Sequence, residues 1–311
     1  MEDLFLRFDI PSSPIKFSYG ERIVFLGSCF SDEMADRARY SGFTCETNPL
    51  GTVFHPEPIR RFLEHVLKQE THHELLVRNE RWYSWDASTV FSRDSPDELG
   101  LTLQNIYKEW LSFLQNSKML FVTFGTAWGY HRKANLKIVA NCHRQSTSEF
   151  EKRLSDSDAI SESWMQIIDK LRALNPKLTI VFTISPVRHV RDGLVENNRS
   201  KAILIDAVRK ICEQTGVGYF PSYEILMDQL RDYRFFKTDR VHPSEEAVSI
   251  IWQKLLECYT ERETRSKVKL VESFRKFSNH VPSDFNAFDH QVELEHRKKE
   301  LLLRIPDLVL K

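Results

Sequence analysis

Three observations in the sequence predict an α/β fold with a mostly parallel sheet. Short apolar runs rich in Val, Ile and Phe lack strict alternation, as strands covered on both faces do. Segments with helical periodicity lie between them, the order expected when strands are joined by crossover helices. The composition, 41% hydrophobic and 28% charged over 311 residues, is that of a globular chain rather than a disordered one.

Residues 23–26 form the first predicted strand and residues 31–39 the helix after it. Residues 56–117 then interrupt the alternation, with a polar, aromatic middle around Trp82, Tyr83 and Trp85. This insertion is read as helical, and either as a lid or wall over a site or as a surface subdomain. Residues 120–124 and 178–184 are the second and third strands, and residues 149–174 are read as the helix between them. In the next helix, residues 200–214, Leu204, Val208 and Ile211 fall at i, i+4 and i+7 and form one apolar stripe. Residues 217–220 are the fourth strand. A helix from about Pro243 to Tyr259 carries Val248, Ile251, Trp252 and Leu255. Beyond Thr260 the chain is highly charged. Leu270, Phe274, Phe277 and Val281 mark one amphipathic helix there, and residues 292–303 suggest another; the Lys and Glu runs read as solvated faces. The expected organisation is one domain over residues 15–260, with the insertion at about 56–117, and a charged helical extension over 261–311.

The charge balance, 44 Lys plus Arg against 44 Asp plus Glu, argues against a generally basic surface, so no nucleic-acid partner is expected. Cys29, Cys45, Cys142, Cys212 and Cys258 are odd in number and spread along the chain, which fits a reducing compartment better than a disulfide framework. Residues 1–11 show no basic segment followed by an apolar core, and no stretch approaches the roughly 20 apolar residues of a membrane span. A cytoplasmic location without a membrane partner is therefore expected. Only ten glycines occur, so each marks a place where the backbone turns tightly or approaches a neighbour.

The first strand ends in Phe25-Leu26-Gly27-Ser28-Cys29-Phe30, with a helix directly after it. A Gly-Ser turn at this point puts the Ser28 hydroxyl at the carboxyl edge of the sheet, where ligands of such sheets bind. The N–H groups of the following helix favour negative charge beside it. Far downstream stands Thr238-Asp239-Arg240-Val241-His242-Pro243, just before the helix of residues 243–259. Asp239 is close enough to fix one imidazole nitrogen of His242, leaving the other to take a proton from a serine. The alternative for Asp239 is a helix-capping role, and for Ser28 a simple turn or cap. Cys29 could act as a thiol nucleophile, but neighbours on the first turn of a helix point apart, so only one of the pair can face His242. Cys142-His143 has no second ligand pair at structural-zinc spacing, so no metal site is expected. His189, after the third strand, either lines the pocket or makes a structural hydrogen bond. Trp128 and Tyr130 either form an aromatic wall or pack beneath the insertion.

Taken together, these residues resemble a known family. Gly27-Ser28-Cys29-Phe30 matches the signature that names the GSCFA domain family, although Ser31 stands where the name has alanine. Further blocks follow in order: Asn48-Pro49-Leu50-Gly51, Phe124-Gly125-Thr126-Ala127-Trp128, Val139-Ala140-Asn141-Cys142-His143 and Ser185-Pro186-Val187-Arg188-His189. Tyr219-Phe220-Pro221-Ser222-Tyr223-Glu224, Arg231-Asp232-Tyr233-Arg234-Phe235 and the Asp239/His242 block complete the match, over about residues 20–258. The family is similar to the SGNH (GDSL-like) hydrolases. This resemblance implies a three-layer α/β/α sandwich and a hydrolase cleaving acyl esters, such as carbohydrate O-acetyl or other short-acyl esters. It also implies Ser28 as nucleophile, His242 as base and Asp239 as its orienting carboxylate, with no metal or organic cofactor. Gly51 matches the glycine that donates a backbone N–H to the oxyanion. The third SGNH block is Gly-x-Asn, whereas here Gly125-Thr126-Ala127 lacks the asparagine; Asn141 or Thr126 is expected to replace it. Acyl transfer by the same triad, and a non-catalytic binding protein on this scaffold, are the alternatives that the sequence leaves open.

Overall fold

The computed structural model describes residues 6, 9–280 and 287–310. Strand β1 (Arg22–Gly27) leads into helix α1 (Cys29–Tyr40), which turns at Ser41-Gly42 into β2 (Thr44–Thr47). Helix α2 (Pro56–Lys68), the short strands β3 (Leu75–Arg78), β4 (Arg81–Ser84) and β5 (Ser92–Arg93), and helix α3 (Pro96–Asn116) follow. Next come β6 (Ser117–Phe124), the hairpin partners β7 (Trp128–Arg132) and β8 (Phe150–Leu154), α4 (Ser157–Leu174) and β9 (Thr179–Ile184). Helix α5 (Leu194–Thr215), β10 (Gly218–Tyr219), the short α6 (Ser222–Glu224), α7 (Glu245–Tyr259), α8 (Arg262–Ser278) and α9 (Ala287–Arg304) end the fold.

The central sheet runs β10-β9-β6-β1-β2, and every neighbouring pair in it is parallel. Residues alternate cleanly between its faces. Val24 and Leu26 of β1, with Val122 and Phe124 of β6 and Phe182 of β9, join a core formed with α2, α3, α4 and α5. Ile23 and Phe25, with Phe121 and Val181, face the opposite core against α1, α7 and Val268 of α8. The result is the three-layer sandwich, and the apolar runs lack alternation because both faces are buried. Chain order reverses between β1 and β6: the sheet grows one way through β2 and the other through β9 and β10. Such a switch point leaves a crevice at the carboxyl ends, next to Ser28 and Gly125.

Several expectations need correction. Residues 149–174 are not one helix. Phe150–Leu154 pairs antiparallel with Trp128–Arg132, and Asp156 caps α4 by accepting from the N–H groups of Asp158 and Ala159. The alternation of buried and outward residues in Phe-Glu-Lys-Arg-Leu reads as a strand once β7 offers it a partner. The segment over 56–117 is not wholly helical: α2 and α3 cover the sheet through Phe62, Leu63, Leu103 and Trp110, with a three-stranded antiparallel sheet between them. Helix α7 begins at Glu245 rather than at Pro243; Ser244 caps it by accepting from the Ala247 N–H, while Pro243 bridges to Phe236. In α8 the buried stripe is Thr264, Val268 and Val271, and Leu270 faces outward. Val281 lies outside the described residues. The extension folds back on the domain, where Val271, Leu301, Ile305 and Leu308 form a small core beside Tyr19. No helix among the described residues is long and apolar enough to cross a membrane.

Gly27 sits where β1 passes β6 most closely. Its φ is +125°, and an added Cβ would meet the Thr123 carbonyl oxygen at 2.1 Å. Neither strand can yield, because their side chains are locked in both cores. Gly27→Ala is therefore expected to cost roughly 3 kcal/mol or more, read as a lowered urea midpoint. Gly193→Ala, at an open positive-φ position with nothing within 4 Å, is the milder comparison.

Candidate active site

Ser28 is the N-cap of α1. Its Oγ accepts from the Phe30 N–H at 3.3 Å, and its own N–H donates to the Thr123 carbonyl at 3.2 Å. One turn on, the Asp32 carboxylate accepts from the Asn48 amide (2.8 Å) and from the hydroxyls of Thr47 (3.1 Å) and Thr52 (3.0 Å). The Asn48 amide oxygen in turn accepts from the Gly27 N–H at 2.8 Å. These bonds fasten the loop after β2 across the turn that carries Ser28, with a carboxylate at the positive end of α1 where it is favoured. Asp32 was not legible as part of the site, since its partners lie 15 to 20 residues away.

Cys29 is half-buried and does not suit a thiolate. Burial pushes its thiol up, with Asp32 and Glu33 adding to the effect. The reactive form is thus suppressed, which favours the neighbouring serine as nucleophile.

Asp239 and His242 form the pair that the spacing implied. The His242 Nδ1 lies 2.7 Å from Asp239 Oδ2, while Asp239 Oδ1 accepts from the N–H groups of Val241 (2.8 Å) and His242 (3.0 Å). Those backbone bonds, with the imidazole, hold the Asp239 carboxyl well below its ordinary range. An ionised carboxylate can only accept, so the His242 Nδ1–H donates to it and Nε2 is left on the far side of the ring. Nε2 makes no hydrogen bond among the described residues, and none joins His242 to Ser28. Both side chains of the pair are over two-fifths exposed, whereas Ser28 is buried.

The loop bearing this pair is fixed to the carboxyl edge from two sides. Lys237 meets Glu33 of α1 at 2.9 Å, and Arg37 donates to the Glu245 carbonyl at 3.0 Å. From the segment after β9, Arg188 donates to the Arg240 carbonyl at 3.0 Å, its guanidinium lying 4.2 Å from the Phe236 ring centre. An exposed ion pair contributes at most about 1 kcal/mol. Burying Phe235 and Phe236 contributes about 1.5–3 kcal/mol each and holds the loop more firmly.

The other predicted residues separate into occupied and unoccupied donors. The Gly51 N–H closes a turn on the Asn48 carbonyl at 2.9 Å. The N–H groups of Gly125 and Thr126 both donate to the Phe54 carbonyl, at 2.8 and 3.1 Å. The Thr126 hydroxyl is buried, 3.1 Å from Ser200 Oγ, and accepts from the Trp128 N–H. Asn141 differs. Its Oδ1 accepts from the Thr89 hydroxyl and the His143 N–H, which fixes the amide orientation. Its Nδ2 donates to nothing among the described residues, and Asn141 lines a cleft of about 650 Å³. Phe54, Tyr130, Cys142 and His189 line that cleft too. His189 also caps the turn before α5, its N–H donating to Asn197 Oδ1 at 2.8 Å. Trp128 lies beneath Lys152, whose ammonium is 4.9 Å from its ring centre. His143 is buried, with Nε2 at 2.8 Å from the Ser84 carbonyl, and no metal-holding group of His, Cys, Asp and Glu occurs among the described residues.

Lys201 was missed altogether. It is buried beneath the edge, donating to the Gly125 and Ser185 carbonyls at 2.7 Å each, and so ties the end of β6 to the residue after β9. A signal existed: Lys201 precedes Leu204, Val208 and Ile211 by three, seven and ten residues and so lies on the apolar stripe of α5. Burial brings its ammonium down to about 7 from the ordinary 10.5, against a smaller opposing influence of Cys29.

The model of the GSCFA family matches residues 22–255, and the chain belongs to that family. No curated protein sequence matches it. Among solved structures it is similar to an acetyl xylan esterase, Est2A, from the rumen bacterium Butyrivibrio proteoclasticus, at 12% identity and a TM-score of 0.42. That match covers 77% of this chain, which spans 63% of the esterase's length. It is also similar to a variant of Axe2, an acetyl-xylooligosaccharide esterase from Geobacillus Stearmophilus (16% identity, TM-score 0.38, 80% of this chain and 98% of that one). A carbohydrate esterase family 3 protein from Talaromyces cellulolyticus matches at 9% identity and a TM-score of 0.36, over 81% of this chain and 99% of that one.

The depressed Lys201 value gives a signed pH dependence. A base whose folded value lies below its unfolded value leaves the unfolded chain binding more protons between the two. Stability should therefore rise with pH from about 7 towards 10.5 on account of this group. Thermal unfolding of wild type and Lys201→Met at neutral pH and at about pH 9.5 checks it: the variant should lack this share of the rise.

Proposed function

We propose that this protein is a serine esterase of the SGNH type, acting on short-acyl esters such as O-acetyl groups on carbohydrate. The observation that carries the reading is the Asp239–His242 pair at 2.7 Å with Nε2 unengaged, on the same sheet edge as Ser28. Ser28 Oγ attacks the acyl carbonyl carbon as its proton passes to His242 Nε2. Asp239 steadies the imidazolium that results. Collapse of the tetrahedral intermediate releases the alcohol, which takes the proton from Nε2. A water then gives its proton to Nε2 and attacks the acyl group, freeing the carboxylic acid and returning Ser28. Contacts between nucleophile and base are often loose before substrate binds, and the bond from Ser28 to His242 forms in the substrate complex.

The Ser28 and Gly51 N–H groups are engaged by the Thr123 and Asn48 carbonyls, which leaves the Asn141 amide to hold the oxyanion. Among the predicted donors, Asn141 alone has a side-chain amide without a partner among the described residues, and it stands in for the asparagine that Gly125-Thr126-Ala127 lacks. Gly51 and Thr126 hold the surrounding loops through the bonds they already make.

A fluorophosphonate probe should label wild type at Ser28, fail on Ser28→Ala, and react roughly 10²–10⁴-fold more slowly with His242→Ala, the range for a lost general base. Turnover of p-nitrophenyl acetate should fall in parallel. Labelling elsewhere, or an unchanged rate in His242→Ala, would overturn the assignment. Asn141→Ala is expected to lower kcat by about 10²–10³ with little change in KM, as loss of an oxyanion donor does.

A further inference from the structure

The cleft beside the site departs from the charge balance of the chain. Over the whole sequence cations and carboxylates are equal in number. The cleft lining contains Arg144, Lys152 and Arg191 together with His189, but no Asp or Glu. Lys152 is neutralised by Asp192, with which it forms an ion pair. Arg144 and Arg191 make no ion pair or side-chain hydrogen bond among the described residues. They come from different segments, the loop between β7 and β8 and the turn between β9 and α5. The charge of Arg191 reaches inward: it opposes the burial that raises the Cys142 thiol, and with Lys201 and Lys152 it adds to the burial that lowers His189, against Asp192.

The remaining wall has another character. Phe54, Tyr130 and Phe150 offer ring faces and edges, and Asn141 and Gln145 offer amides. Ser28, Asp239 and His242 are not part of the lining; the cleft wall is linked to the turn that carries Ser28 through the backbone, because the Phe54 carbonyl accepts from Gly125 and Thr126 while the preceding Val53 N–H donates to the Gly27 carbonyl.

We infer that this cleft binds a sugar-sized ester carrying a negative charge, a carboxylate or a phosphate, through Arg144 and Arg191. The assignment of the ester to this cleft rests on the esterase reading; the anion site itself rests only on the lining. Guanidinium suits either group because its planar N–H fork matches both geometries. Affinity for the anion should weaken with salt, since both arginines are exposed to solvent.

Binding of D-glucuronate, glucose 6-phosphate and neutral glucose to the full chain, measured by ligand-observed NMR or calorimetry, tests the site. At least one anion is expected to bind about tenfold or more tightly than glucose, and the tighter of the two identifies the charged group. Arg144→Gln/Arg191→Gln should erase that preference, while Arg209→Gln on the outer face of α5 should retain it. Equal binding of anion and glucose, or a preference that survives the double variant, overturns the inference. Binding in Ser28→Ala separates this result from the catalytic one. An anion preference there alongside failed Ser28 labelling sinks the esterase reading alone; labelled Ser28 without the preference sinks the anion site alone. With acetylated glucuronate and acetylated glucose as substrates, the double variant should lose the advantage of the acid mainly through KM.

Discussion

The Gly27 backbone lies against the Thr123 carbonyl where β1 passes β6, and the candidate site is built outward from that contact. Without a Cβ at residue 27, Thr123 can accept the Ser28 N–H and also place its hydroxyl 2.8 Å from Ser31 Oγ. The turn into α1 is thereby set by β6 as well as by its own sequence. Val53 then returns to the Gly27 carbonyl, and Phe54 receives the two N–H groups at the end of β6. One close approach thus aligns three loops over the point where the sheet changes direction, and that alignment turns a crevice between strands into a lined cleft.

Beneath the edge the polar groups are dry and paired, whereas above it they are wet and partly free. Lys201 ties Gly125 to Ser185, and Ser222 Oγ donates to the Ile184 carbonyl at 2.8 Å, so the strand ends cannot move independently. An ammonium buried without a carboxylate beside it is costly, and its two carbonyl bonds offset part of that cost. The arrangement spends stability on rigidity beneath the residues that would touch substrate. The Asp239–His242 loop has the opposite design: its backbone is pinned by Phe235 and Phe236, yet its two reactive side chains stand exposed. A fixed floor with an accessible base above it suits a reaction in which the same imidazole must give up a proton and then take one from water.

How much was legible depended on whether a residue's partners were local. β1, β6 and β9 showed as apolar runs because both of their faces are buried. The edge strand β2, with one buried residue in four, leaves no such run, whereas β10 lies within the fourth run, residues 217–220. Residues 150–154 were taken for helix because a short strand declares itself only through its partner, and β7 lies 18 or more residues upstream along the chain. The site divides in the same way. Asp239 and His242 are three residues apart and could be paired from spacing, while Ser28 was marked by a glycine in a glycine-poor chain. Asp32 and Lys201 acquire meaning only from loops far away in sequence. Hydrogen-bond occupancy was equally invisible: Gly51 was the candidate backbone donor and Asn141 or Thr126 the candidate for the missing asparagine, and the fold shows Gly51 and Thr126 already engaged.

Occupancy also separates Thr126 from Asn141. In this chain Thr126 carries a hydroxyl that is fully used in joining β6 to α5, through Ser200 and the Trp128 N–H. Ser200 Oγ additionally accepts from the Ala127 N–H at 2.7 Å, so the segment after β6 is drawn down onto the helix rather than left facing the crevice. The hairpin of β7 and β8 rises from this same segment, and the loop it carries returns Asn141 to the cleft wall. The unengaged amide therefore stands on a loop rather than at the strand end, on the wall that also presents Arg144, and such a loop can vary without disturbing the sheet beneath it.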